Sequence, residues 1–352
     1  MVRCSFLKNA LLRLPKVEQI PIKLRDLYER YGYTKYRMAK FEPYDLYREH
    51  KGFLKSEGIL TFNDKKGRLL ALKPDVTISI VNSIKPEDKE GKFFYVENVY
   101  RLESGEYREI EQIGLENIGG DTLYSELEVL FLAYESLKVV SDKFVLNIGH
   151  TGIWSHCFDA LGFSQSESEN LLTCIKNKNL HGLRELLSNK NLGIDTIEDI
   201  VEIAGISAPI SEGVARLNTL LGDGYGDYLD ELDTVYEALK STVGEDKIYL
   251  DMSVLNDMTY YNGIVFQGFV EGLSRVLLSG GRYDNLVKTF SKPHKAVGFA
   301  IYTEELARAF RETEARPCKK ITSDCPIDAL KEAVKNVEKG ETVKVEIGGK
   351  KC

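Results

Sequence analysis

The chain has 352 residues, of which 43% are hydrophobic and 29% charged; these ordinary globular values exclude wholesale disorder, collagen and fibres and suggest roughly two domains with a full core. Lys and Arg number 47 against 54 Asp and Glu, a net charge of −7, whereas a protein held to nucleic acid chiefly through backbone phosphates is usually basic. No apolar run approaches the ~20 residues of a membrane helix, and Met1-Val2-Arg3-Cys4-Ser5-Phe6-Leu7-Lys8 lacks a signal-peptide apolar stretch, so no membrane partner and a cytoplasmic location are expected.

The first predicted element is a helix: Val17, Ile20, Leu24, Leu27 and Tyr28 fall on one stripe, with Gly32 near its end. Ile59 to Phe62 and Arg68 to Leu72 read as strands around the turn Asn63-Asp64-Lys65-Lys66-Gly67. Pro74-Asp75 opens a helix over Val76 to Ile84. Strands are expected over Phe93 to Arg101 and Arg108 to Ile118, joined by a polar loop with Ser104-Gly105. A helix follows from Thr122 to Val140, then a strand from Lys143 to Ile148.

From Thr151 to about Ser241 the chain is Leu-rich and mostly helical, with breaks at Gly162, Gly193, Gly205 and Gly222 to Gly226. Strands resume at Lys247 to Leu250, Ile264 to Val270, Ser274 to Leu278 and Val297 to Tyr302. Ser279-Gly280-Gly281-Arg282 reads as a diglycine turn or as a segment whose backbone can approach a ligand, and Glu304 to Phe310 as a helix. After Arg311 about forty residues remain, too few for a typical domain, with a helix over Ile327 to Glu338. The sum is an α+β fold, an antiparallel sheet flanked by helices with a helical module inserted. The expected division is a core of 1–150 and 242–312, an insertion of 151–241 and a short tail of 313–352.

The cysteines Cys4, Cys157, Cys174, Cys318, Cys325 and Cys352 form no Cys-x-x-Cys and no metal-ligand spacing with a histidine; free thiols in a reducing compartment are expected, with no metal. Chemistry concentrates elsewhere. Residues two apart in a strand share a face, so Gln112, Gly114 and Glu116 point together. They offer an amide, an open space and a carboxylate, suited to a small polar cation or to an exposed strand face with a bulge glycine. Arg101 can clamp a carboxylate or phosphate, or form a surface ion pair. Asp75 can cap its helix or hold an ammonium. Tyr260-Tyr261-Asn262-Gly263 suits a small amphipathic ligand, or a tyrosine-rich turn into a strand.

In combination these segments are more specific. Leu72-Lys73-Pro74-Asp75-Val76-Thr77 resembles the Leu-Arg-Pro-Glu-x-Thr segment of histidyl-tRNA synthetases. Phe94 to Arg101 and Gly105 to Glu116 resemble the two strands of their class II motif 2. Tyr260 to Phe266 and Gly280-Gly281-Arg282-Tyr283-Asp284 resemble the two histidine signatures. Order and spacing agree over roughly residues 10 to 310.

The departures from that pattern carry the functional expectation. The first signature begins Arg-Gly-Leu-Asp in the family; here Asn256-Asp257-Met258-Thr259 stands in its place. The resemblance makes Asn256 a degenerate catalytic position, because a neutral amide cannot replace an arginine that stabilises developing negative charge. The motif 2 loop, Arg101-Leu102-Glu103-Ser104-Gly105, is three residues shorter and lacks the extra Arg and Lys. The motif 1 proline is missing at Met38-Ala39-Lys40. No complete anticodon-binding domain is expected, and the acidic net charge fits loss of tRNA binding.

The amino-acid pocket is kept: Asp75, Thr77, Arg101, Gln112, Glu116, Tyr260 and Tyr261. The resemblance implies that the Asp75 position takes the ligand ammonium, Gln112 and Arg101 its carboxylate, and Glu116 and Tyr261 its imidazole. Such a chain resembles the regulatory subunits of ATP phosphoribosyltransferase. They are non-catalytic, need no cofactor, and pair with a short-form catalytic subunit at the first step of histidine biosynthesis. That resemblance implies activation of the partner, feedback inhibition by L-histidine and a homodimer core within a hetero-oligomer. The alternative it leaves is a divergent, active histidyl-tRNA synthetase or another histidine-activating enzyme.

Overall fold

The computed structural model describes residues 14–54, 58–85, 87–88, 90–103, 105–120, 122–255, 260–310 and 318–348. Helix α1 (Lys16–Arg30) buries Ile20, Leu24 and Tyr28, the expected stripe. Each such side chain contributes about 1.5–3 kcal/mol when fully buried. Tyr28 shares a hydrogen bond of 2.8 Å with Ser136, and Tyr33 donates to Glu128 at 3.0 Å. These bonds tie the segment to a long helix over Thr122–Val140.

The first twelve strands are β1 Thr34–Lys35, β2 Phe41–Pro43, β3 Thr61–Asn63, β4 Leu69–Leu72, β5 Glu90–Glu103, β6 Glu106–Gly119, β7 Phe144–His150, β8 Ser207–Pro209, β9 Ile248–Asp251, β10 Ile264–Val270, β11 Leu278–Arg282 and β12 Ala296–Tyr302. Nine of them form the main sheet, in the order β1-β5-β6-β12-β11-β10-β7-β9-β8. This sheet is mixed rather than wholly antiparallel, since β1 runs parallel to β5 and β7 parallel to β9. The rest pairs antiparallel, and the fold is α+β as expected. β5 and β6 form one long hairpin with Arg101 opposite Arg108 and Tyr95 opposite Gly114. Gly105 at its tip has φ +85°, a conformation that favours glycine.

A small sheet in the order β2-β4-β3 precedes the hairpin in the chain. Its β3–β4 turn is built by Asp64, whose Oδ1 accepts the backbone N–H groups of Lys66 and Arg68. Helix α2 (Tyr44–Glu49) packs beside it, followed by α3 (Thr77–Ser83) and α4 (Thr122–Val140). Tyr47, Ile78, Ile80, Tyr95, Tyr260 and Tyr283 belong to one buried cluster on this side of the main sheet.

The helical segment contains α5 (Thr151–Ala160), α6 (Gln165–Lys176), α7 (Leu180–Ser188), α8 (Ile194–Ala204), α9 (Ile210–Leu220) and α10 (Gly226–Thr242). Ser164 and Glu167 form a reciprocal capping box on α6, and Asn179 caps α7. The segment also supplies β8, the edge strand beside β9. Lys178, at φ +54°, extends its ammonium to Asp251 at 2.8 Å. Trp154 donates its indole N–H to the Met252 carbonyl at 3.1 Å.

One expectation shifts by several residues. Ser274 to Leu277 is irregular, and Gly280-Gly281, read as a turn, lies inside strand β11. A Cβ on Gly281 would come within 2.7 Å of the Ile264 carbonyl and 2.8 Å of the Tyr261 ring. Glycine is needed there for close packing, not for bending. The cysteine reading also changes. Cys157, Cys174 and Cys318 are free thiols, but Cys325 is disulfide-bonded.

Helix α11 (Asp284–Thr289) follows β11, and α12 (Thr303–Ala309) follows β12. The chain divides into two compact units, residues 1–309 and 310–352. In the second, β13 (Lys319–Ser323) and β14 (Val343–Ile347) pair in parallel around α13 (Pro326–Glu338). Ile321 and Ala329 are buried within it.

Candidate functional site

Strand register builds the floor of the site. Gln112, Gly114 and Glu116 on β6 stand opposite Tyr302, Ala300 and Gly298 on β12. Ser279 and Gly281 on β11 stand opposite Ala300 and Gly298 in turn. Tyr95 on β5 lies opposite Gly114. Small residues in the middle rows hollow the sheet surface. A Cβ on Gly114 would strike the Tyr95 hydroxyl, and one on Gly298 would strike the Glu116 carboxylate.

Glu116 lies at the bottom, 2% exposed. Thr77 donates to its Oε1 at 2.7 Å and Tyr283 to its Oε2 at 2.6 Å; Tyr95 adds a longer contact of 3.5 Å. Burial pushes its pKa up to about 8, although the hydroxyl donors oppose that rise. Asp75 adds a smaller upward push by like-charge repulsion.

The other end is cationic. Arg101 donates Nε–H to the Pro74 carbonyl at 2.8 Å and pairs with Asp75 Oδ2 at 3.2 Å. Asp75 uses its second oxygen, Oδ1, to accept the Ile78 N–H at 3.0 Å. Asp75 therefore holds the first turn of α3, the capping alternative, and its side chain also lines the cleft. Gln112 is buried and lines the same cleft.

Tyr260 and Tyr261 form the wall, with ring centroids 4.7 Å apart; Tyr260 also packs at 5.6 Å from Tyr283. Burial drives the hydroxyl pKa values of Tyr260, Tyr261, Tyr283 and Tyr95 well above their ordinary value, so all four keep their protons at neutral pH.

Asp75, Thr77, Arg101, Gln112, Glu116, Tyr260 and Tyr261 all line one cleft, which holds about 480 Å³ of free space including its solvent mouth. Asn256 lies outside the described residues. The cleft also includes Phe53, Ala300 and Tyr302, which motif spacing does not single out, and Tyr95, Ser279 and Tyr283, which lie in the segments quoted above without an assigned side-chain role. Tyr95 carries a sequence signal: it is six positions before Arg101, so the period of two places both on one strand face. Tyr283 belongs to the Gly-Gly-Arg-Tyr-Asp segment, but nothing local marks its hydroxyl as a partner of Glu116. Chemically, the cleft offers a carboxylate at one end and a guanidinium–carboxylate pair at the other. That charge pattern matches an α-amino acid with a polar, protonatable side chain.

Fold and site together define a class II synthetase-like protein. The family model for histidyl-tRNA synthetase matches residues 13–306. An ATP phosphoribosyltransferase regulatory subunit of Caldanaerobacter subterraneus subsp. tengcongensis is 32% identical over 300 residues, covering 82% of this chain and 77% of its own. One of Oceanobacillus iheyensis is 29% identical over 309 residues, covering 86% and 75%. A crystal structure described as an ATP phosphoribosyltransferase regulatory subunit/histidyl-tRNA synthetase from Bacillus halodurans superposes with a TM-score of 0.80 at 26% identity, covering 94% of this chain and 88% of that one. The chain belongs to the histidyl-tRNA synthetase family and, within it, to the ATP phosphoribosyltransferase regulatory subunits. It is a regulatory, non-catalytic member. Among the described residues no helix is long and apolar enough to cross a membrane.

Proposed function

We propose that this chain binds L-histidine in the cleft, activates a short-form ATP phosphoribosyltransferase catalytic subunit and conveys feedback inhibition by histidine to it. One observation carries the ligand assignment. A carboxylate buried among hydroxyl donors, Glu116, shares a single cleft with Arg101 and Asp75. In this reading Glu116 holds the imidazole with help from Tyr261. Thr77 fixes the Glu116 carboxylate, and Tyr260 forms the apolar wall. Gln112 and Arg101 take the carboxylate, and Asp75 takes the ammonium. Regulation then requires that histidine bind two states of the assembly with different affinity.

The replacement of an arginine by Asn256 supports a chain without adenylation activity. A homodimer core, a hetero-oligomer with the catalytic subunit, a cytoplasmic location and no tRNA partner belong to the same proposal. Calorimetric titration with L-histidine tests the pocket, with saturable one-per-chain binding expected. Histidine-dependent ATP–pyrophosphate exchange tests the alternative of an active histidine-activating enzyme. Robust exchange by the purified chain would overturn the non-catalytic reading.

A further inference from the structure

The cleft has a larger neighbour. Beyond its Arg101 end lies a second cavity of about 940 Å³ of free space including its mouth, with Glu103, Phe269, Arg275 and Glu305 on its walls. Arg101 and Tyr302 line both cavities. Tyr302 stands opposite Gln112 in the sheet register. Its backbone N–H donates to the Leu277 carbonyl at 2.9 Å. Its half-buried ring packs against the apolar cluster beneath the cleft. Along the floor, β12 presents Gly298, then Ala300, then Tyr302. The side chain grows from nothing to a full ring in the direction of the second cavity.

We propose that Tyr302 is the end wall of the pocket and a specificity-determining residue: it admits an amino acid with a free carboxylate and excludes one extended at its carboxyl end. This rests on the proposed histidine reading and adds a limit on ligand length. A peptide extension adds about 3.3–3.6 Å per residue. That length carries the chain past Arg101 into the volume of the Tyr302 ring. A packed aromatic yields to such overpacking only at a cost. Without the ring the two cavities join, and an extended ligand gains room beside Arg275.

The test is calorimetry with L-histidine and with the dipeptide L-histidylglycine. The unaltered protein should bind histidine and bind the dipeptide about a hundred-fold more weakly, the scale at which shape alone discriminates. Tyr302→Ala should narrow the preference for histidine over the dipeptide to within about ten-fold. Tyr302→Phe, which keeps the ring, should still reject the dipeptide. Should the alanine variant melt early, Tyr302→Leu keeps apolar packing and carries the same expectation. Equal binding of both ligands to the unaltered protein would overturn the proposal. So would a folded variant lacking the ring that binds histidine and still rejects the dipeptide. Failure of the unaltered protein to bind histidine would instead overturn the ligand assignment beneath it.

Discussion

Glu116 and Gly298 face each other across neighbouring strands, and the missing side chain of Gly298 is the space that the Glu116 carboxylate occupies. A methyl group there would also lie 2.5 Å from the Leu115 carbonyl, which cannot swing away. Gly298→Ala should therefore cost about 1–3 kcal/mol of stability by overpacking and displace the carboxylate from its hydroxyl donors. Thermal melts and histidine titration should show both effects together. A variant with unchanged histidine affinity would contradict the placement of Glu116 at the imidazole.

Histidine affinity should follow a bell-shaped curve in pH. The empty-site pKa of Glu116 is raised to about 8, whereas free imidazole titrates near 6.5. Between these values the free protein and free ligand carry one proton between them, as does an imidazolium–carboxylate pair. Below about 6.5 binding must release a proton, and above about 8 it must take one up. Affinity should fall on both sides, and binding heats should change with buffer ionisation enthalpy only outside the window. Glu116→Gln should flatten the curve and weaken binding. A flat curve for the unaltered protein would contradict the pairing.

The same group makes stability depend on pH. Its folded pKa, about 8, lies above the ordinary value of 4.5, so between the two the folded chain keeps a proton that the unfolded chain releases. Stability from this group is then fully present below that window and is lost as pH rises through it. The loss is bounded at about 5 kcal/mol by the linkage relation. Glu116→Gln should gain stability relative to the unaltered protein as pH rises from about 5 to about 8. Denaturant melts at several pH values would show it, and a constant difference would contradict it.

Behind the sheet, Arg282 joins Asp284 at 2.8 Å, Glu126 at 3.2 Å and Glu231 at 3.6 Å. Glu231 also meets the buried His150 at 3.4 Å. This network links β11 with α4 and α10. Burial, reinforced by the neighbouring Glu231 carboxylate, raises the pKa of Glu126. Arg282→Ala leaves the acids without their shared cation and should destabilise the chain by roughly 3 kcal/mol. Arg282 does not line the cleft, so histidine affinity should change far less than stability. A melt within experimental error of the unaltered protein would contradict this account.

Much of the site was legible because strand alternation fixes faces. Gln112, Gly114 and Glu116 had to point together, and they do. The stripe of α1 and the Asp64 turn were equally local, and both form as read. What was not legible depended on contacts between distant segments. Gly280-Gly281 carries the local signature of a turn, and pairing with β10 on one side and β12 on the other makes it strand. The role of Gly298 beside Glu116 arises from pairing between strands far apart in the chain, which no local pattern encodes. Tyr302 read as the last residue of an apolar strand; its place between two cavities is a property of the assembled sheet.

The central claim is tested most directly by assaying a short-form ATP phosphoribosyltransferase catalytic subunit alone, with this chain, and with this chain plus L-histidine. The account predicts a low rate alone, a large increase on mixing, and loss of that increase with histidine. With Glu116→Gln it predicts that activation persists while inhibition by histidine is lost. A partner rate unchanged by mixing, under conditions in which both proteins are folded, would contradict it.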